Sequence, residues 1–132
     1  MGSTVPIGAP SLSGVLRRAM ALRCPRCGRT PLFASWTRMH ASCSACGMRF
    51  EREQGYFIGA IYVNYALTIA VSLGGVLVID ALFPLPLAAQ LVIGVTSALV
   101  VPLLGFRHAR SLWLALDHLA SEADARLERR RR

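Results

Sequence analysis

Cysteine occurs four times in this chain, and all four lie in one short stretch, LRCPRCGRTPLFASWTRMHASCSACG. They form two Cys-x-x-Cys pairs, Cys24 with Cys27 and Cys43 with Cys46, fifteen residues apart. That spacing is the pattern of a four-cysteine zinc site. Two residues between cysteines let a tight turn aim both sulfurs at one ion, and a following glycine lets the backbone close the turn. Gly28 and Gly47 fill that place. Four thiolates complete a tetrahedral shell with no open position, so the ion is expected to be structural zinc and not catalytic. The alternatives are iron in a rubredoxin-like site, a disulfide pair, or thiols that react or hand on metal. Rubredoxins separate their knuckles by a much longer stretch, and disulfides require an oxidising compartment. Met39, His40 and Met48 raise copper handling but read more simply as filler or surface residues, since four sulfurs need no further ligand.

The elements that must position these thiols are small. Residues 23–54 hold Gly28, Pro31 and Gly47 among short β-prone pieces, with no sustained helical period. They read as a zinc ribbon of β-hairpins and knuckles. About thirty residues cannot bury an adequate core alone, and a metal is the usual remedy at that size. Residues 1–22 read as a flexible arm, ending in a weak amphipathic turn or helix at 15–22. No cleavable signal sequence is expected, because Arg17 and Arg18 follow the first sixteen residues instead of preceding an apolar run.

Residues 55–106 are different in kind. Asp80 is the only charged side chain between Glu53 and Arg107. A helix crosses the hydrocarbon core in about 20 apolar residues, so this block predicts a two-helix membrane hairpin. The crossings fall at about 56–79 and 86–106, joined through 80–86, where Pro84 and Pro86 suit a turn and a helix start. Residues 107–132 form an amphipathic basic tail in which Leu112, Leu116, Leu119, Ala123 and Leu127 share one helical face. Trp113 belongs near the membrane boundary, and the final arginines suit anionic headgroups.

The net charge of +8 comes entirely from arginine, with no lysine. Eight arginines stand between Arg17 and Arg52, none from 53 to 106, and seven follow. Positive charge bracketing an apolar block predicts a multi-pass protein with both termini cytoplasmic. The lipid bilayer is therefore the expected partner, and nucleic acid is not expected. Within the hairpin, Gly55 and Gly59 make a Gly-x-x-x-Gly spacing that favours close helix approach. Asn64 is an amide in hydrocarbon and should face protein: Ser97 or Thr96 on the second helix, or a second subunit. Tyr56, Tyr62 and Tyr65 suit an interfacial belt, and Pro102 should kink the second helix. Glu53 is expected to pair with Arg49 or Arg52. No paired carboxylates, activated nucleophile, phosphate loop or small-molecule site is legible, so the chain is not expected to be an enzyme.

RCPRCGRTPLF, the second Cys-x-x-Cys-Gly followed by MRFEREQGYF, the two-helix hairpin and the basic tail together resemble a bacterial membrane family labelled domain of unknown function 983. The resemblance runs from about Leu22 to His118. It differs at the second knuckle, Cys-Ser-Ala-Cys-Gly, where the family more often has proline after the first cysteine. The resemblance implies a bacterial inner-membrane protein with no established activity. Association of family members with terminal-oxidase assembly genes implies an accessory or assembly factor docking on other membrane proteins or on itself. A thiol-redox or metal-handling protein is the alternative, and a membrane-tethered nucleic-acid ribbon a third.

Overall fold

The computed structural model describes residues 11–132. The chain forms two units: one joins the chain up to Arg52 with Leu114–Arg132, and the other is Glu53–Trp113. The described helices are α1 (Leu12–Met20), α2 (Ile58–Leu82) and α3 (Leu87–Arg131). Much of the arm expected at 1–22 lies outside the described residues, but its last part is α1. Residues 11–14, expected to be unstructured, already start that helix.

In the first unit, α1 begins where the Ser11 hydroxyl accepts from the Gly14 N–H at 3.2 Å. It ends in a Schellman arrangement, with Leu22 N–H bonded to Ala19 O and Arg23 N–H to Arg18 O. The left-handed position there is usually glycine; here it is Leu22, at φ 56. Val15 and Ala19 bury against Ala115, with Leu119 beside them. Arg52 bonds to Asp117 at 3.4 Å and to the Ser121 hydroxyl at 3.4 Å. Arg52 thus takes a carboxylate far along the chain, and among the described residues Glu53 forms no ion pair with it or with Arg49.

The expected β-hairpin ribbon is present only in outline. Three antiparallel bridges, Arg23–Pro31, Phe33–Met39 and Ser42–Arg49, stand alone, and no strand occurs among the described residues. The physical reason is length. Each turn is followed within two or three residues by the next, and Pro25 and Pro31 have no N–H to extend a ladder. Burial of Leu32, Phe33, Met48 and Phe50 around the cysteines supplies the small core.

In the second unit, α2 and the first part of α3 are inside-out relative to a soluble protein. Ile61, Tyr62, Tyr65, Ile69, Leu73, Leu77, Leu91, Val95, Leu99 and Leu103 are all more than half exposed. Small and polar residues lie between the helices. Gly94 lies close to Val76, and Gly105 close to Asn64. This is how helices associate in lipid, where close backbone approach and hydrogen bonds replace the hydrophobic drive. Both helices are long and apolar enough to cross a membrane. Helix α2 extends through Leu82, past the expected end at 79. Asp80 lies in its last turn and accepts from Gln90 Nε2 at 2.6 Å and from the Leu85 N–H at 3.4 Å. That closes the connection over 83–86. The second crossing and the tail, expected as separate elements, are one 45-residue helix with Pro102 inside it. Between 103 and 131 there is no further proline, and helix formers dominate, so nothing in the sequence stops the helix at the apolar boundary.

Candidate metal centre

Each knuckle is built the same way. Cys24 N–H bonds to Thr30 O at 2.9 Å, and Gly28 N–H bonds back to Cys24 O at 2.8 Å. Cys43 N–H bonds to Met48 O at 2.8 Å, and Gly47 N–H to Cys43 O at 2.9 Å. Both glycines have positive φ, 68 and 72, a conformation that a side chain would strain. The turns point backbone N–H groups at the sulfurs: Arg26 and Cys27 at Cys24, Ala45 and Cys46 at Cys43, Met48 at Cys46.

The two knuckles bring all four sulfurs together. Cys24 Sγ lies 3.7 Å from Cys46 Sγ, and Cys27 Sγ lies 3.5 Å from Cys43 Sγ. The four ligand atoms all fall within 4.8 Å of one another. All four cysteines are free thiols, and the closest pairs join one knuckle to the other. A tetrahedral ion with metal–sulfur bonds near 2.3 Å requires sulfur–sulfur edges of about 3.8 Å. The cross-knuckle separations fit that edge, so the residues present suit a tetrahedral thiolate-bound metal.

The thiols are electrostatically unequal. Burial pushes Cys24 up to about 12, more than its N–H contacts lower it. Burial also raises Cys43, but the Thr30 hydroxyl, at 2.8 Å, and the N–H groups of Cys46 and Ala45 outweigh it and hold Cys43 at about 6. Burial raises Cys46. A cation entering the cluster would displace the remaining protons.

Two supporting residues escaped the sequence reading. Thr30 holds Cys43. Arg18, on α1, donates through Nη1 to both Pro25 O and Arg26 O at 3.1 Å. Its side chain also lies over Gly28, close enough that a Cβ there would come within 3.1 Å of it. The guanidinium therefore clasps the first knuckle from outside. Spacing alone gives no signal for either residue. Met48 is buried and His40 exposed, in keeping with filler and surface roles.

The other predicted contact residues are used inside the chain. Gly55 has φ 81 and precedes α2, so Gly55 and Gly59 do not share a helical face. Gly59 is the seat of the Trp113 indole, which a Cβ would strike. Trp113 Nε1 donates to Tyr56 O at 2.9 Å. Asn64 meets neither Ser97 nor Thr96: its Nδ2 donates to Pro102 O at 3.3 Å, and its Oδ1 lies against Gly105. Ser97 instead bonds Gly94 O within its own helix.

A compact four-thiol cluster that could hold a metal ion, on a chain with two helices long and apolar enough to cross a membrane, defines the class, a small membrane-type protein with a four-cysteine module. The chain belongs to the family described as "Protein of unknown function (DUF983)", whose model matches residues 33–118. The match takes in Cys43, Cys46, all of α2 and most of α3; the first knuckle precedes it. No curated protein and no solved structure matches the chain.

Proposed function

We propose that the protein is a non-enzymatic accessory factor of the bacterial cytoplasmic membrane, with a structural zinc ion at Cys24, Cys27, Cys43 and Cys46. One observation carries this reading: four sulfurs from two knuckles lie within 4.8 Å of one another, with the cross-knuckle pairs Cys24–Cys46 and Cys27–Cys43 at 3.7 and 3.5 Å, close to a tetrahedral edge. A shell filled by four protein sulfurs leaves no position for a substrate, which favours a structural ion. Apolar surface along α2 and the first part of α3 supports insertion, and arginine on both sides of the hairpin supports cytoplasmic termini. Because Gly59 is covered by Trp113 and Asn64 Nδ2 is spent on Pro102 O, docking on another membrane protein falls to the thiol-bearing unit. There Trp36 is 55% exposed, on the turn closed by Ala34 N–H to Arg38 O. Exposed tryptophan on a turn is a common anchor of protein interfaces. The resemblance makes terminal-oxidase complexes the first partners to test.

The experiment is elemental analysis of freshly reduced protein, paired with reporter fusions at residue 83 and at the C-terminus. About one zinc per chain and opposite compartment signals support the reading. Iron, or no metal, overturns the zinc site; matching signals overturn the hairpin topology.

The second reading is thiol redox or metal transfer, favoured by the Cys43 thiol at about 6, a value in the range of reactive cysteines. Alkylation separates the two. A structural site resists iodoacetamide until chelation, whereas a reactive site is alkylated with metal bound.

A further inference from the structure

The hairpin unit holds a second cluster with no role in the thiol site. Where the exposed apolar surface of α2 begins, at Ile58, and the apolar run in the first part of α3 ends, at Leu103 and Leu104, the side chains turn aromatic and basic. Tyr56 meets Phe57 edge-on at 5.1 Å and Trp113 at 6.5 Å. The Arg110 guanidinium lies 5.0 Å from the Phe57 ring centre and 5.9 Å from that of Phe106. Arg107 stands one turn earlier on α3.

We propose that Arg110, held by Phe57 and Phe106, is a binding site for the phosphodiester headgroup of an anionic membrane lipid. The argument begins with how the cation is held. Cation–π contact with the two rings draws on the charge of the guanidinium and uses none of its five N–H donors. A planar fork presented this way matches two phosphate oxygens. No protein carboxylate takes the place of that anion. Glu53 and Asp80 are the unit's only acidic residues. Asp80 is bonded to Gln90 and Leu85 at the far end of α2. Among the described residues neither carboxylate pairs with Arg110.

Depth selects the source of the phosphate. Arg110 lies one turn past Phe106, at the edge of the lipid-facing surface, where aromatic residues favour the headgroup layer. A bilayer supplies phosphodiesters at that level without drawing on free phosphate. The site rests on the membrane reading, but not on the metal.

The test uses the full-length protein in detergent, titrated with dioleoyl phosphatidylglycerol or dioleoyl phosphatidylcholine and read by native mass spectrometry. Wild type should retain the anionic lipid preferentially. Arg110→Gln should weaken that retention about fivefold, the equivalent of about 1 kcal/mol for one cation at an anionic surface. Arg110→Lys keeps the charge without the fork and should fall between them, which also guards against misfolding of the glutamine variant. Equal retention by all three proteins overturns the site. Displacement of the lipid by inorganic phosphate also overturns it, in favour of a free-anion site. Carbonate-washed membranes test the supporting reading separately. Loss of the wild type from them overturns membrane insertion and this site together; retention there without preference for the anionic lipid overturns the site alone.

Discussion

Replacing Gly59 with alanine is a small change with a large expected effect. Gly59 is in the first turn of α2, and the indole of Trp113 occupies the space a Cβ would need. The indole cannot simply slide, because its N–H is bonded to Tyr56 O at 2.9 Å. Alanine brings a helix-propensity gain of up to about 1 kcal/mol. Against it stand overpacking of about 1–3 kcal/mol and a lost hydrogen bond of about 1 kcal/mol. The net expectation is destabilisation of about 1–3 kcal/mol. The assay is unfolding in mixed detergent and sodium dodecyl sulfate, followed by tryptophan emission in a Trp36→Phe background, so that only Trp113 reports. The midpoint should fall and the folded-state emission should shift to the red. Gly74→Ala is the control, since beyond its own stretch of helix backbone nothing lies within 4 Å of the added Cβ; it should be neutral or slightly stabilising. If Gly59→Ala behaves like Gly74→Ala, the indole is not seated on Gly59.

Arg18→Met should speed zinc loss to a chromogenic chelator about tenfold, because supporting residues around a metal typically contribute 10–100-fold in affinity; an unchanged rate would show that the clasp on Pro25 and Arg26 is incidental. Asn64→Leu removes the bond to Pro102 O and adds bulk against Gly105, and should lower the unfolding free energy in detergent by about 1 kcal/mol without changing zinc content. Burial lowers the pKa of His118, and Arg26 and Arg52 reinforce this against Glu122 and Asp117. The fold therefore favours the neutral ring, and that contribution is complete above the ordinary value of 6.5 and lost as pH falls below it. Thermal unfolding at pH 7 and pH 5 should show a smaller acid loss in His118→Gln than in wild type, and equal losses would refute the assignment.

The parts of the molecule legible from sequence are those governed by spacing and by runs. Two Cys-x-x-Cys-Gly units announce knuckles because the turn needs those residues at those places, and an uncharged block announces lipid-length helices. Relations between distant segments were not legible. Nothing local says that Arg18 turns back onto Pro25, that Thr30 reaches Cys43, or that Arg52 chooses Asp117 over Glu53. Gly-x-x-x-Gly misled for a related reason. The spacing assumes one continuous helix, whereas Gly55 adopts φ 81 and α2 starts only at Ile58. Composition changes at Arg107, which divides the tail from the second crossing in the sequence although the helix runs on. Composition marks where the environment changes, not where a helix ends, and α3 runs through both Pro102 and Gly105.

These internal uses of Gly59 and Asn64 change where recognition can occur. In hydrocarbon, specificity comes from small residues that admit a neighbouring backbone and from polar groups that need a partner. In the hairpin unit Gly59 is filled by Trp113, Gly105 by Asn64, and Asn64 Nδ2 is bonded to Pro102 O, while Asn64 Oδ1 is buried against Gly105 without a hydrogen-bond donor. What α2 offers outward is mostly branched aliphatic side chains and tyrosines. Such a surface is satisfied by acyl chains and selects poorly among proteins. A membrane partner would then be recognised outside the hydrocarbon, where the proposed thiol-bound metal would supply the rigidity that so small a core cannot. On this reasoning Trp36→Ala should abolish docking while leaving zinc content and membrane insertion intact. Asn64→Leu should weaken the hairpin without altering partner choice. The opposite pattern in a reconstituted binding assay would return recognition to the helices.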